Sequence, residues 1–192
     1  MGREFELKYR ADGEKIAAIR GKYGAFSRIS METAYYDTPD MALRRRKWML
    51  RRRYENGKAV CTLKTPLPDG SRGEWEMECG CMEDAIGRLR ECGAPGELLT
   101  LTARGVAEVC AARFTRLAKT VDTGDAVLEL ALDQGVFLGG GNELPFAEVE
   151  VELKSGGESA AVAFAEVLAE EFALTPEEKG KAQRAMELLA KP

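Results

Sequence analysis

The chain has no histidine among its 192 residues. Imidazole is the commonest general base of enzymes and a frequent metal ligand, so acid–base and metal chemistry fall to carboxylates, lysines or bound water. Long apolar runs are missing too, because no stretch approaches the ~20 residues that a membrane-spanning helix needs. We therefore expect a soluble, cytoplasmic protein with no membrane partner.

A disulfide framework and a strongly basic charge are also lacking. The five cysteines are odd in number and follow neither disulfide nor zinc spacing, so we expect reduced thiols. With 28 basic and 32 acidic residues, the net charge of -4 is too acidic for a protein that lives on nucleic acid. Any bound anion must therefore meet locally clustered cations.

The length and patterning predict one α+β domain over residues 1–192. A composition of 45% apolar and 31% charged residues suits a single compact core, and no repeat or linker is visible. Asn56-Gly57 predicts a β-hairpin, and a second is expected around Thr123-Gly124-Asp125. We expect about eight antiparallel strands. The four or five helices include one with a loop in 96–111 and two near the carboxyl end, from about 158 to 172 and 176 to 189.

Charged side chains alternate along several of these strands. The opening segment EFELKYR places Glu4, Glu6 and Lys8 on one side, and a late strand places Glu148, Glu150 and Glu152 on one side. Alternate residues of a strand lie only ~6–7 Å apart, so these glutamates repel one another. A solvent-facing surface would usually mix the signs. We therefore expect the sheet to curve into a barrel with these polar faces inside and amphipathic helices outside.

Carboxylates facing arginines and lysines inside a protein need an ion or ligand to complete them, because burying like charges is costly. Glutamate oxygens suit Mg²⁺ or Mn²⁺, and arginine forks match phosphate oxygens. The combination predicts a polyphosphate ligand and phosphoryl-transfer chemistry.

A series of motifs supports this interpretation. Glu4, Glu6 and Lys8 form an E-x-E-x-K signature, and the chain continues in order with YYDTPD, LRRRYENGK, TLK, RGEWE, LELALDQG, EVEVELKSG and GKAQR. Over residues 3 to about 189 this series resembles the CYTH, or triphosphate tunnel metalloenzyme, family, and it is most similar to bacterial inorganic triphosphatases. Gly180 and Ala185 depart from the serine and glycine usual in relatives, which affects the cap of the helix carrying Lys181.

The resemblance implies a closed eight-stranded antiparallel β-barrel that hydrolyses a triphosphate with Mg²⁺ or Mn²⁺. By position, the catalytic residues are Glu4, Glu6, Lys8 and Lys181. The implied triphosphate-binding residues are Lys8, Arg51, Arg53, Lys64, Arg72, Arg116 and Lys181. The implied metal ligands are Glu4, Glu6, Glu74, Glu76, Glu148, Glu150 and Glu152. Asp133 matches an aspartate of the family, although its place near Gly135 also fits a turn.

Several functions remain open at this stage. The leading hypothesis is an inorganic triphosphatase. A class IV-type adenylyl cyclase or a thiamine triphosphatase would share the same phosphate and metal sites, and a non-catalytic protein would only bind polyphosphate or nucleotides. The expected partner is thus a small triphosphate or a nucleoside triphosphate, while the oligomeric state is not indicated.

Overall fold

A computed structural model describes residues 5–67 and 72–190. Within them, nine antiparallel strands form one sheet in the order β5-β4-β3-β2-β6-β7-β8-β1-β9. The strands are β1 (Glu6–Arg10), β2 (Ser27–Asp37), β3 (Met49–Glu55), β4 (Lys58–Pro66), β5 (Arg72–Glu78), β6 (Ala107–Asp122), β7 (Ala126–Gly139), β8 (Asn142–Gly156) and β9 (Thr175–Pro176). The helices are α1 (Gly13–Tyr23), α2 (Ala42–Arg45), α3 (Met82–Glu91), α4 (Glu97–Leu101), α5 (Glu158–Glu171) and α6 (Lys181–Glu187), followed by a 3₁₀ helix, Leu188–Ala190. No helix of these residues is long and apolar enough to cross a membrane.

The sheet is open, so the prediction of a closed eight-stranded barrel is wrong. In the described part of the chain, the outermost strands β5 and β9 do not pair with each other. Strand β9 instead lies along the free edge of β1, with Pro176 opposite Tyr9. The Glu177 amide extends this contact by donating to the Lys8 carbonyl at 2.9 Å. The carboxyl-terminal segment therefore occupies part of the edge through which β1 would have to close a barrel.

Two helix predictions need correction as well. Residues 176–180 do not belong to the last helix, because Pro176 pairs with β1 and α6 begins at Lys181. The helix expected within 96–111 is only the short α4, and β6 already begins at Ala107. Both hairpins are confirmed, and the first turns at Asn56 and Gly57 with φ of 49° and 81°.

Helices cover the outer face of the sheet with two apolar clusters. Helices α1 and α5 pack on β1, β7 and β8 through residues such as Ile19, Leu168 and Val151. Helices α3 and α4 pack on β2 to β5 around Leu63 and Leu89. Along β8 the alternation is as expected, because Val149 and Val151 pack toward these helices. Glu150 and Glu152 lie on the opposite, inner face.

The inner face curls around a cavity of about 340 Å³, which we call the charged cavity. Glu74 of β5 and Glu152 of β8 both line it, although five strands lie between β5 and β8. In a flat sheet these strands would be some ~29 Å apart at ~4.8 Å per strand, so the sheet must be strongly curved. At one end of the inner face, α6 packs through Ala185 and Met186 on an aromatic cluster that includes Phe114.

Gly135 permits a close approach of two strands. A Cβ atom added to it would lie 2.0 Å from the Arg113 carbonyl oxygen of β6. Because backbone cannot yield as a side chain can, we expect Gly135→Ala to lower the free energy of unfolding by at least ~1–3 kcal/mol in urea titrations. Gly21→Ala in α1 is the matched control, since nothing lies within 4 Å of its added Cβ and alanine favours helix. Equal stability of the two variants would contradict the close packing.

Candidate active site

The sheet register brings predicted site residues together on the inner face. Glu6 lies opposite Glu152 and Lys8 opposite Glu150 across the β1/β8 pair, and Lys64 lies opposite Glu74 across β4/β5. The charged cavity itself is lined by six of the predicted residues, namely Arg51, Arg53, Glu74, Glu76, Arg116 and Glu152. Arg72 is exposed at the start of β5 and does not line the cavity. Glu4 lies outside the described residues.

Three buried carboxylates form an acidic cluster: Asp133, Glu148 and Glu150. One oxygen of each lies within 4.8 Å of the others. The Lys181 ammonium contacts all three and is 2.9 Å from Asp133 Oδ2 and 2.5 Å from Glu150 Oε1. Arg116 holds Asp133 in a bidentate pair at 2.9 and 2.7 Å and also contacts Glu150. Asp133 is therefore a buried strand residue of the site, not a turn residue.

Helix α6 supplies two cations to this cluster from one side. Lys181 and Arg184 are three residues apart and so point in similar directions. Arg184 donates to Glu148 Oε2 at 2.6 Å, and its guanidinium lies 4.7 Å from the centre of the Phe137 ring. Gly180 caps the helix without a side-chain hydrogen bond. The missing serine cap therefore does not prevent Lys181 from reaching the carboxylates.

Glu177 ties α6 to the first strand. Its side chain is only 2% exposed, and it accepts a hydrogen bond from Arg10 Nε at 2.6 Å. Its other oxygen accepts from the Lys179 amide at 3.0 Å, and the carboxylate lies 3.6 Å from Arg184. This buried carboxylate fixes the segment between β9 and α6, which positions Lys181 and Arg184.

Sequence reasoning missed several of these residues. Sequence reasoning does not single out Glu177, Arg184 or Glu129, and it allows Asp133 either a site role or a turn role. Glu129 lies 3.8 Å from Arg116 and 3.8 Å from Lys154. Two signals were present: Arg184 follows Lys181 by three residues, and Glu129 shares strand parity with Asp133. Nothing local indicated Glu177, because its partners are distant in sequence.

Burial and neighbouring charges separate the pKa values of the clustered carboxylates. Burial raises the pKa of Glu148 to about 7, with Glu150 adding to the rise and Lys181 opposing it. Burial also acts to raise the pKa of Glu150, but Lys181 and Arg116 outweigh it and hold that pKa below its ordinary value. The pKa of Glu6 is raised by burial and then by Glu150. Glu148 is thus poised to exchange its proton near neutral pH.

The positive charges of the two inward-facing arginines of β3, Arg51 and Arg53, have few acidic partners. Burial, together with Arg51 and Arg116, lowers the pKa of Arg53 to about 10. Arg53 forms no salt bridge with any residue of 5–67 or 72–190; its Nε donates to Thr33 Oγ1 at 3.4 Å. Arg51 reaches Glu74 only at 3.9 Å, and both Arg51 Nε and Thr62 Oγ1 are buried without a hydrogen-bond partner. Such groups favour an anion in the cavity beside them.

The acidic cluster has the donor chemistry that Mg²⁺ or Mn²⁺ prefers, since all its ligand atoms are carboxylate oxygens. Three carboxylates here face three cations, Lys181, Arg116 and Arg184, so the cluster is formally neutral. Glu6 and Glu152 lie on the same face next to it, each paired with a lysine: Glu6 with Lys8 at 3.6 Å and Glu152 with Lys154 at 2.8 Å. A buried acidic cluster able to hold a metal ion is therefore present.

Comparison with known proteins agrees with this geometry. Residues 2–186 match the CYTH domain family. The chain belongs to the CYTH family. The predicted family resemblance is thereby confirmed. An inorganic triphosphatase of Haemophilus influenzae is 29% identical over 142 residues, covering 73% of this chain and 40% of that protein. The CYTH chain therefore spans less than half the length of this relative.

Solved structures share the CYTH fold. A Hippeastrum protein proposed to be an adenylyl cyclase, with a dominant triphosphatase activity, superposes with a TM-score of 0.70 at 17% identity, over 98% of each chain. A protein from Bacillus halodurans proposed to be an adenylate cyclase gives 0.65 at 20% identity, over 94% of this chain and 96% of that one. A Pyrococcus horikoshii protein superposes with a TM-score of 0.64 at 24% identity, over 96% of this chain and 99% of that one. At these identities the likeness concerns the fold.

Proposed function

We propose that this CYTH protein hydrolyses inorganic triphosphate with the help of Mg²⁺ or Mn²⁺. The observation that carries the proposal is the half-buried pair Arg51 and Arg53, which line a cavity that also contains carboxylates. Among the described residues Arg53 has no salt bridge, and Arg51 reaches Glu74 only at 3.9 Å. A protein that only bound an anion would need the arginines but not the facing glutamates. The triphosphatase relative supports the same substrate class.

The proposed roles follow the two signs of charge. Cations of the inner face bind and orient the phosphates; they are Lys8, Arg51, Arg53, Lys64, Arg116 and Lys181. Arg72 is left out of this set, because it is exposed and does not line the cavity. The divalent cation would be held by a few of the carboxylates Glu4, Glu6, Glu74, Glu76, Glu148, Glu150, Glu152 and Asp133. Asp133, Glu148 and Glu150 are the three with one oxygen each within 4.8 Å of one another. A bound metal would neutralise developing charge on the phosphate oxygens. Since the chain has no histidine, a carboxylate or a lysine would accept the proton from the attacking water.

The Arg53→Ala variant tests the phosphate role. Each charge-assisted contact contributes about 1.5–3 kcal/mol, so we expect triphosphate affinity to fall about tenfold or more in calorimetric titrations. Arg52→Ala is the control, because Arg52 lies between Arg51 and Arg53 on the opposite face, where it donates to the Gly80 carbonyl at 3.2 Å. An unchanged dissociation constant for Arg53→Ala would remove Arg53 from the proposed binding set.

Phosphate release decides the proposed activity itself. The wild-type protein is incubated with inorganic triphosphate plus Mg²⁺ or Mn²⁺, and in parallel with a chelator. We expect release only with metal. Tight triphosphate binding without release under any of these conditions would favour the non-catalytic alternative.

A further inference from the structure

Every carboxylate oxygen of the acidic cluster has a cationic partner. The Lys181 ammonium contacts one oxygen of each carboxylate; these oxygens are Asp133 Oδ2, Glu148 Oε1 and Glu150 Oε1. The other oxygen of each carboxylate accepts from an arginine; the pairs are Asp133 Oδ1 with Arg116, Glu150 Oε2 with Arg116 and Glu148 Oε2 with Arg184. A divalent cation that binds these carboxylates therefore competes with positive charge that the protein itself supplies.

Lys181 is the side chain whose departure frees a set of metal ligands. Within the described part of the chain, its nitrogen is the one cationic atom that contacts all three carboxylates. Movement of Arg184 would free an oxygen of Glu148 alone, and Arg116 is held to Asp133 by two hydrogen bonds. Asp133 Oδ2 also accepts from Arg116 at 2.7 Å, but a carboxylate oxygen offers about two acceptor sites. Oxygens that share one nitrogen are also close enough to share one metal ion.

The Lys181 side chain can leave the carboxylates while α6 stays in place. A lysine ammonium ends a flexible four-carbon stem, whereas an arginine fork is planar and rigid. Lys181 is the first residue of α6, and the helix is held further along by Ala185 and Met186, which pack on the aromatic cluster. The charged cavity begins beside the acidic cluster, because Arg116 lines that cavity and contacts two of the carboxylates. A rotamer change would thus carry the ammonium toward the cavity.

Exchange of the Lys181 ammonium for a divalent cation changes the local charge in the direction that a polyphosphate favours. With the ammonium in place, three positive side chains balance three carboxylates. With a divalent cation in its place, the positive charges exceed the carboxylates by one, and the released ammonium adds another to the neighbouring cavity. Retention of both would set an ammonium and a divalent cation against the same oxygens, and like charges repel strongly in a buried site.

We propose that Lys181 and the divalent cation are alternative occupants of the acidic cluster. The ammonium neutralises the three carboxylates, leaves them when a divalent cation binds, and then lies toward the phosphates in the charged cavity. This inference rests on the proposed function, since the metal and the triphosphate are those of that reaction. No covalent bond changes, and the lysine keeps its proton. Lys181 thereby limits how tightly the protein binds metal before the substrate arrives.

Manganese binding in the absence of triphosphate tests this exclusion. Lys181→Met removes the competing ammonium, so we expect its dissociation constant for Mn²⁺, titrated by electron paramagnetic resonance, to fall about tenfold or more below the wild-type value. Lys179→Met is the control and should bind Mn²⁺ as the wild type does, because Lys179 pairs with Glu187 in an exposed position. In thermal melts, saturating Mn²⁺ should raise the Tm of Lys181→Met more than that of the wild type.

A second measurement uses the wild-type protein alone. The Lys181 side chain is only 10% exposed, so acetic anhydride should modify it slowly. Saturating Mg²⁺ without triphosphate should increase the rate of Lys181 acetylation several-fold, as read by mass spectrometry of the peptides. Lys179 is the internal control, because its side chain is already 45% exposed and its rate should not change.

The outcomes separate this inference from the function on which it rests. Absence of Mn²⁺ binding by both the wild type and Lys181→Met would overturn the metal-dependent function and the inference together. Equal Mn²⁺ affinities of the two folded proteins, with phosphate still released by the wild type, would overturn only the inference. Unchanged acetylation of Lys181 at saturating Mg²⁺ would do the same, and this measurement decides the matter if Lys181→Met does not fold.

Discussion

Replacing Lys181 with methionine is expected to lower the free energy of unfolding by about 3–5 kcal/mol and to abolish triphosphate turnover. The ammonium contacts all three carboxylates of the acidic cluster, and its side chain is only 10% exposed. Removing one partner of a buried ionic set leaves the other charges uncompensated, which accounts for the size of the loss. Urea unfolding and phosphate release measure the two effects.

Lys179→Met is the matched control two residues away. Lys179 pairs with Glu187 at 2.8 Å, but both side chains are more than 40% exposed. Exposed ion pairs contribute about 0–1 kcal/mol, so this variant should remain close to wild type. If Lys181→Met were as stable as Lys179→Met, Lys181 would not be the main counter-ion of the acidic cluster.

Between about pH 5 and pH 7, turnover is expected to rise while stability falls. Burial raises the pKa of Glu148 from 4.5 to about 7, so the folded protein holds this proton more tightly than the unfolded chain does. Its contribution to stability is therefore complete below pH ~4.5 and declines as pH rises through ~7, by up to ~3 kcal/mol. Metal binding needs the ionised carboxylate, so turnover should increase by up to about tenfold per pH unit over this range.

The absence of histidine makes this pH experiment interpretable, because no imidazole titrates in the same range. Urea unfolding is measured without metal, and phosphate release is measured at saturating Mn²⁺ over the same pH range. Glu148→Gln should flatten the stability profile, whereas Glu143→Gln, an exposed position on the same strand, should retain it. A wild-type stability that does not change from pH 5 to pH 7 would disprove the raised pKa.

The inner face of the sheet was largely predictable from sequence, because strand alternation is a local property. The Asn56-Gly57 turn fixes the β3/β4 register and so places Arg51 opposite Thr62. Alternation likewise predicted that Glu148, Glu150 and Glu152 share one face. A side chain on a strand points to one of the two faces of the sheet, and once the register is fixed that face is determined for every residue of the strand.

Features that depend on distant contacts were not predictable. Pro176 is typical of a helix start, yet it pairs with Tyr9 because the edge of β1 is available to it. That pairing places the start of α6 at Lys181. Asp133 looked compatible with a turn until Arg116, seventeen residues earlier, appeared as its partner across β6 and β7. Glu177 depends on Arg10 in the same way.

The pairing of β1 with both β8 and β9 has a consequence for synthesis on the ribosome. Residues 6–10 of β1 can pair only after residues 148–152 of β8, and then residues 175–176 of β9, have been synthesised. The cations Lys181 and Arg184 emerge later still. A nascent chain that ends near residue 174 therefore carries an acidic cluster without two of its counter-ions and a β1 edge with nothing on it. Such edges invite pairing with other chains. The partial cover of the β1 edge and two counter-ions of the acidic cluster are thus delivered by one short segment, residues 175–184.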